Sequence, residues 1–99
     1  SFSGTLTRNG ASSYAFVTSA SGNIQASLTT VAPNAALVVG LSLGTWNGTG
    51  CQVVLTNDKA VQGSIVLGTA TGSGTLCVRI FDVGNVTDPS TYLIQVTHP

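Results

Sequence analysis

Charge is what this chain has least of. Only 6% of its 99 residues are Asp, Glu, Lys or Arg, three of each sign, against about a quarter in an ordinary soluble domain. Glu and Met are missing altogether and Lys59 is the one lysine. Each shortage excludes something. Arg8, Lys59 and Arg79 are too few and too scattered to neutralise a run of phosphates, so nucleic acid and anionic lipid are excluded as partners. With no Glu, three Asp and a single His, the chain is short of the paired acids and bases that general acid–base chemistry requires. His98 lies next to the last residue, and none of the many serines sits in a nucleophile elbow, so the expectation is a non-enzyme. No apolar run reaches the roughly 18 to 20 residues that span a bilayer, because Gly, Ser, Thr or Asn breaks every one; no membrane span is expected.

What remains is apolar and neutral polar. Hydrophobic residues make up 42% of the chain, and most of the rest is Ser, Thr, Gly and Asn. Abundant Val and Thr in place of strong helix formers suit a pleated surface, so the fold class is all-β. The length supports one hydrophobic core, hence a single domain over residues 1–99. Cys51 and Cys77 are the only thiols. An even pair in a small Ser/Thr-rich domain reads more readily as a disulfide than as half a metal site, and the spacing is far too long for a CxxC redox centre. A bridge would stabilise the fold by about 3 kcal/mol. Together with a first residue that is Ser rather than Met, it points to export and an extracellular or cell-surface location.

Alternation between turn signals predicts about eight short strands. They run over Phe2 to Arg8, Ser13 to Thr18, Ile24 to Leu28, Leu37 to Leu43, Cys51 to Thr56, Ser64 to Ala70, Thr75 to Val83 and Tyr92 to Thr97. Asn9-Gly10 predicts a tight hairpin turn between the first two, and Asn57-Asp58-Lys59 another turn. Leu37, Val39, Leu41 and Leu43 share one face of a central strand, and the stretch from Thr75 is the second central strand. Short strands with regular turns and no helix between them predict two antiparallel sheets face to face, a jelly-roll or immunoglobulin-like β-sandwich.

The segment Gly74-Thr75-Leu76-Cys77-Val78-Arg79-Ile80-Phe81-Asp82, followed by Tyr92-Leu93-Ile94-Gln95-Val96, resembles the closing strands of bacterial pre-peptidase C-terminal domains. Those end in G-T-Y-x-I-R-V-x-D and Y-x-L-x-V. Upstream, Tyr14-Ala15-Phe16, Ser21-Gly22 and Ile24 to Leu28 look like that family's Y-x-F strand, its turn and its third strand. The resemblance implies a non-catalytic β-sandwich that accompanies secreted enzymes and is either removed on maturation or retained for attachment to a substrate or surface. The family often carries acidic residues, sometimes linked to calcium, where this chain has Ala35-Ala36-Leu37-Val38, so calcium does not carry over.

Few residues are candidates for a site. Trp46, the one tryptophan, lies in the predicted Gly-rich loop Gly44 to Gly50 beside Asn47. Its indole could stack on a neutral sugar, insert into a neighbouring subunit, or cover an open end of the sandwich. Asp82, Asn85 and Asp88 are spaced as calcium ligands can be, yet short Asp and Asn side chains also serve turns by bonding their own backbone; no metal is assigned. Asn47-Gly48-Thr49 and Asn85-Val86-Thr87 fit the glycosylation sequon. Without charged gatekeepers, edge strands are open to pairing, and Phe2 to Arg8, with Phe2 and Leu6 on it, is the candidate self-association edge. The leading expectation is a secreted structural subunit that associates with copies of itself in a filament, sheath or surface layer. The alternative is an accessory module that binds a neutral polysaccharide or a secreted hydrolase.

Overall fold

The computed structural model covers residues Ser1–Pro99 and is an eight-stranded antiparallel sandwich of two four-stranded sheets. The strands are β1 (Phe2–Leu6), β2 (Ala11–Thr18), β3 (Ser21–Ala32), β4 (Val39–Trp46), β5 (Cys51–Ala60), β6 (Ile65–Thr71), β7 (Gly74–Phe81) and β8 (Ser90–Thr97). One sheet has the order β1-β8-β3-β6, the other β2-β7-β4-β5. β4 and β7 are central, as their dense alternation predicts.

Period-two patterning builds the core. Ile24, Ala26 and Leu28 of β3 and Tyr92 and Ile94 of β8 face Leu41 and Leu43 of β4 and Val78 and Ile80 of β7, within one cluster of 17 buried residues. Leu28, Leu41, Ile80 and Ile94 are almost fully buried. Each such side chain stabilises the fold by about 1.5–3 kcal/mol through burial alone. The few buried hydroxyls are paired: Ser42 Oγ lies 3.1 Å from Thr56 Oγ1, and Thr18 Oγ1 donates to the Gly72 carbonyl at 3.0 Å. No buried side-chain polar atom is left without a partner. Leu37, expected to open the central strand, precedes it and packs partly against the core.

Three local expectations are corrected. Asn9-Gly10 does form a turn, with Asn9 in the left-handed region at φ 57° and Gly10 N–H donating to the Thr7 carbonyl at 2.9 Å. It does not close a hairpin, because β1 pairs with β8 and β2 with β7. The turn instead carries the chain from one sheet to the other. Asn57-Asp58-Lys59 is no turn either: β5 runs through it to Ala60. Asn57 Oδ1 still accepts from Lys59 N–H at 3.0 Å, and the register against β4 slips between Val39 and Leu41, so the irregularity is spent on a bulge. Gly44, Thr45 and Trp46, expected in a loop, are the last rungs of β4, paired with Val53, Gln52 and Cys51.

Candidate functional site

Cys51 and Cys77 form the disulfide, with Cα atoms 5.7 Å apart. They lie on strands that are not neighbours: β4 runs between β5 and β7. Gly44 of β4 pairs with Cys77 on one side, and on the other the β5 register jumps from Leu55 to Val53. A bulge at Val54 thus curls the start of β5 over β4 to reach β7. Gly44 makes this possible, since a Cβ there would collide with the backbone of Gln52 and Val53. The bridge sits on the outer side of its sheet, opposite the core cluster, yet Cys77 is fully buried beneath it. Neighbouring outer positions follow the same logic of glycine under a covering group. Gly40 lies under the Phe81 ring, on which the Arg79 guanidinium stacks at 4.9 Å.

Trp46 is half-buried and is the cross-strand partner of Cys51. Asn47 follows it in the exposed turn, and its Oδ1 accepts from Thr49 N–H at 3.0 Å, Thr49 Oγ1 at 3.1 Å and Gly50 N–H at 2.8 Å. That carbonyl is therefore occupied in shaping the turn. Beyond this turn, between the two sheets, lies a cleft of about 350 Å³. Ile24, Leu43, Leu55 and Leu76 line its apolar side, Thr45, Thr69 and Thr75 its polar side. Neither Trp46 nor Asn47 belongs to the lining.

Asp82 is the most heavily used carboxylate. Oδ2 accepts from Asn9 N–H at 2.9 Å; Oδ1 accepts from the amides of Gly84, Asn85 and Val86 at 2.8, 2.9 and 3.0 Å. These donors, the Asn9 amide foremost, hold its carboxyl below the ordinary carboxylate range. Asn85 turns away to donate from Nδ2 to the Val38 carbonyl at 3.1 Å. The Asp82–Asp88 loop is thus a backbone-bonded turn that also fastens the β1–β2 connection, and no cluster of three His, Cys, Asp or Glu with metal-binding geometry exists. His98 is exposed and stacks on Phe16 at 5.1 Å. Tyr14 and Tyr92 meet hydroxyl to hydroxyl, and burial, aided by Tyr92, pushes the Tyr14 phenol up to about 12.

Charge has a marked distribution. β1, β3, β6 and β8, the whole of one sheet, contain no charged residue. Arg8, Asp82 and Asp88 lie in the connections at one end of the sandwich. Asp58 and Lys59 are at the same end, where β5 closes beside the start of β4, and Arg79 is two residues from the end of β7 there. The opposite end, with the cleft and the Gly-rich turns, is neutral.

Of the candidate association residues, both are on an edge strand, since β1 borders its sheet. Leu6 points inward, 2% exposed, and Phe2 stacks on Tyr14 at 4.8 Å. What β1 offers a neighbour is backbone. β6, the other edge of this sheet, was not singled out from sequence; Ile65 and Leu67 are half and two-thirds exposed on it. The signal was there in Ile65 to Thr71, a run with high β propensity and neither charge nor proline.

Sheets, clasp and neutral edges together define the class: an all-β, two-sheet antiparallel sandwich with a disulfide across its outer face. No family model, curated protein or solved structure matches the chain. No helix is long and apolar enough to cross a membrane, and a Cys51–Cys77 bridge is the chemistry of an oxidising compartment.

Proposed function

We propose that this domain is a secreted, non-catalytic structural subunit that associates with copies of itself in an extracellular filament, sheath or surface layer. One observation carries the reading: the sheet of β1, β8, β3 and β6 has no charge on any strand, and neither edge strand is paired on its outer side, the Tyr14 hydroxyl on the Ser3 carbonyl at 3.4 Å being a side-chain contact on β1. An edge strand presents a row of unpaired amides and carbonyls, and monomeric proteins protect it with Lys, Pro or bulges. β1 and β6 have none of these. Approach of a second copy then costs little electrostatic repulsion and satisfies backbone groups on both sides. Negative-stain electron microscopy of untagged protein, with light scattering over a concentration series, tests it. Ordered polymers are the expected result; a monodisperse monomer at high concentration overturns the reading.

A second reading takes its support from the neutral cleft of about 350 Å³. The domain would then act as an accessory module like the pre-peptidase C-terminal domains, binding a neutral polysaccharide or a secreted hydrolase. Retention on insoluble glycans by a strictly monomeric protein, lost on Leu55→Asp in the cleft or on Trp46→Ala, would favour it over assembly.

A further inference from the structure

We infer that assembly extends a single sheet, with β6 of one copy pairing antiparallel to β1 of the next; the inference rests on the self-association reading. The sandwich has four edges: β1 and β6 in one sheet, β2 and β5 in the other. β5 is unsuited to pairing. Its register against β4 shifts twice, and Asp58 and Lys59 stand on it. β1 and β6 are regular, each with an unbroken register against its inner neighbour, Phe2–Leu6 along β8 and Ile65–Thr71 along β3.

Direction and facing agree with this pairing. Each neighbour in the order β1-β8-β3-β6 is antiparallel to the last, so β1 and β6 run in opposite senses. A copy moved across the strands and slid along them by about four residues, roughly 14 Å, brings β1 against β6 antiparallel, like every other pair in the molecule; the slide is needed because β1 lies level with Leu28 to Ala32 of β3 and β6 with Ser21 to Ser27. On the core side, Val66 and Gly68 of β6 would continue into Gly4 and Phe2 of β1. On the outer side, Ile65 would meet Thr5 and Leu67 would meet Ser3. Inner meets inner and outer meets outer, so neither the apolar layer nor the neutral face is interrupted. One repeated contact uses both edges, whereas pairing β6 with β6 leaves β1 bare and needs a second kind of contact to grow. Repeated by translation, a heterologous contact of this kind does not close into a ring and yields a filament. Four strands per copy at the usual strand spacing advance the sheet by roughly 19 Å across the strands per subunit, with the slide of roughly 14 Å along them added to it.

Cross-linking of the full chain at its outer edge positions tests this directly. Ser3→Cys and Leu67→Cys are prepared singly, and both are treated with a short bismaleimide under assembly conditions with the Cys51–Cys77 bridge intact. Mixing the two single variants is expected to give a cross-linked dimer that neither gives alone, and the double variant a ladder of oligomers. Leu67→Lys, at an exposed position, is expected to keep the native circular dichroism and thermal midpoint while losing the polymer. Polymers in which Leu67→Cys alone cross-links to itself show dyad pairing and overturn the inference but not self-association. Polymers without either cross-link, or polymers unaffected by Leu67→Lys, place the contact elsewhere with the same consequence. Absence of polymers from the wild-type chain overturns both.

Discussion

Removing the clasp with Cys51→Ala tests how this sandwich holds its outermost strand. The substitution breaks the bridge while leaving the Cys77 sulfur in its buried place. The two cysteines are 26 residues apart, and restoring that loop's freedom to the unfolded chain costs about 3.5 kcal/mol on the chain-entropy model. Against a typical net stability of about 5–15 kcal/mol this is a large share, and for a domain near 100 residues it lowers the thermal midpoint by roughly 14–28 °C. Local effects add to it. Of the β5 side chains only Ala60 is buried, and Gln52 to Thr56 are all exposed, so without the bridge the first half of β5 is held chiefly by its pairing with β4. Urea unfolding followed by circular dichroism, with the variant kept reduced and the wild type oxidised, measures the global term. Hydrogen exchange at Gln52 to Thr56 measures the local one, and those amides are expected to lose protection first. A loss below about 1 kcal/mol with those amides still protected would refute the reasoning and show that β4 pairing suffices.

Gly44→Ala is expected to destabilise the fold by about 1–3 kcal/mol, read from the urea midpoint, because its Cβ meets backbone of β5 that no rotamer change can move aside. In alkaline solution the folded domain keeps the Tyr14 proton that the unfolded chain releases near pH 10, so its contribution is intact below pH 10 and is lost as pH rises toward about 12. Spectrophotometric titration should show the Tyr14 phenol ionising late, and Tyr92→Phe should bring it part of the way back, since burial is the larger cause. At the other extreme Asp82, with its carboxyl held low, stabilises the domain above the ordinary carboxylate value of 3.8, and that support disappears as pH falls through its folded value. Asp82→Asn should lower stability at neutral pH and flatten the acid limb of a thermal-midpoint profile.

The strands were legible because period-two alternation reports directly on which side chains are buried: Ile24, Ala26 and Leu28, or Val39, Leu41 and Leu43, point inward as their spacing requires. Partners were not legible. Asn9-Gly10 asks only for a left-handed backbone, and a corner between sheets satisfies that as well as a hairpin does. Asn57 shows the same ambiguity one level down, its side chain bending the backbone within a strand instead of ending it. The cysteine pair was readable from its count, but the arch over Gly44 was not, since it depends on a bulge at Val54 and on two strands separated by a third. For the site, Trp46 drew notice by its rarity and Phe2 by its position. The bareness of β6 became visible only once strand order made it an edge.

Strand order has a kinetic consequence as well. Following the chain, β1 lies in one sheet, β2 in the other, β3 back in the first, and the alternation is interrupted only where β4 and β5 stay together. The β4–β5 hairpin is therefore the one pair that forms from adjacent sequence; every other ladder waits for distant segments to meet, as β1 waits for β8. Chains dominated by such distant pairings fold in milliseconds to seconds rather than microseconds. During that interval β6 and β1 are uncommitted strands with no charge to repel a neighbour. β1 in particular has no partner until β8, the strand it pairs with, has been made.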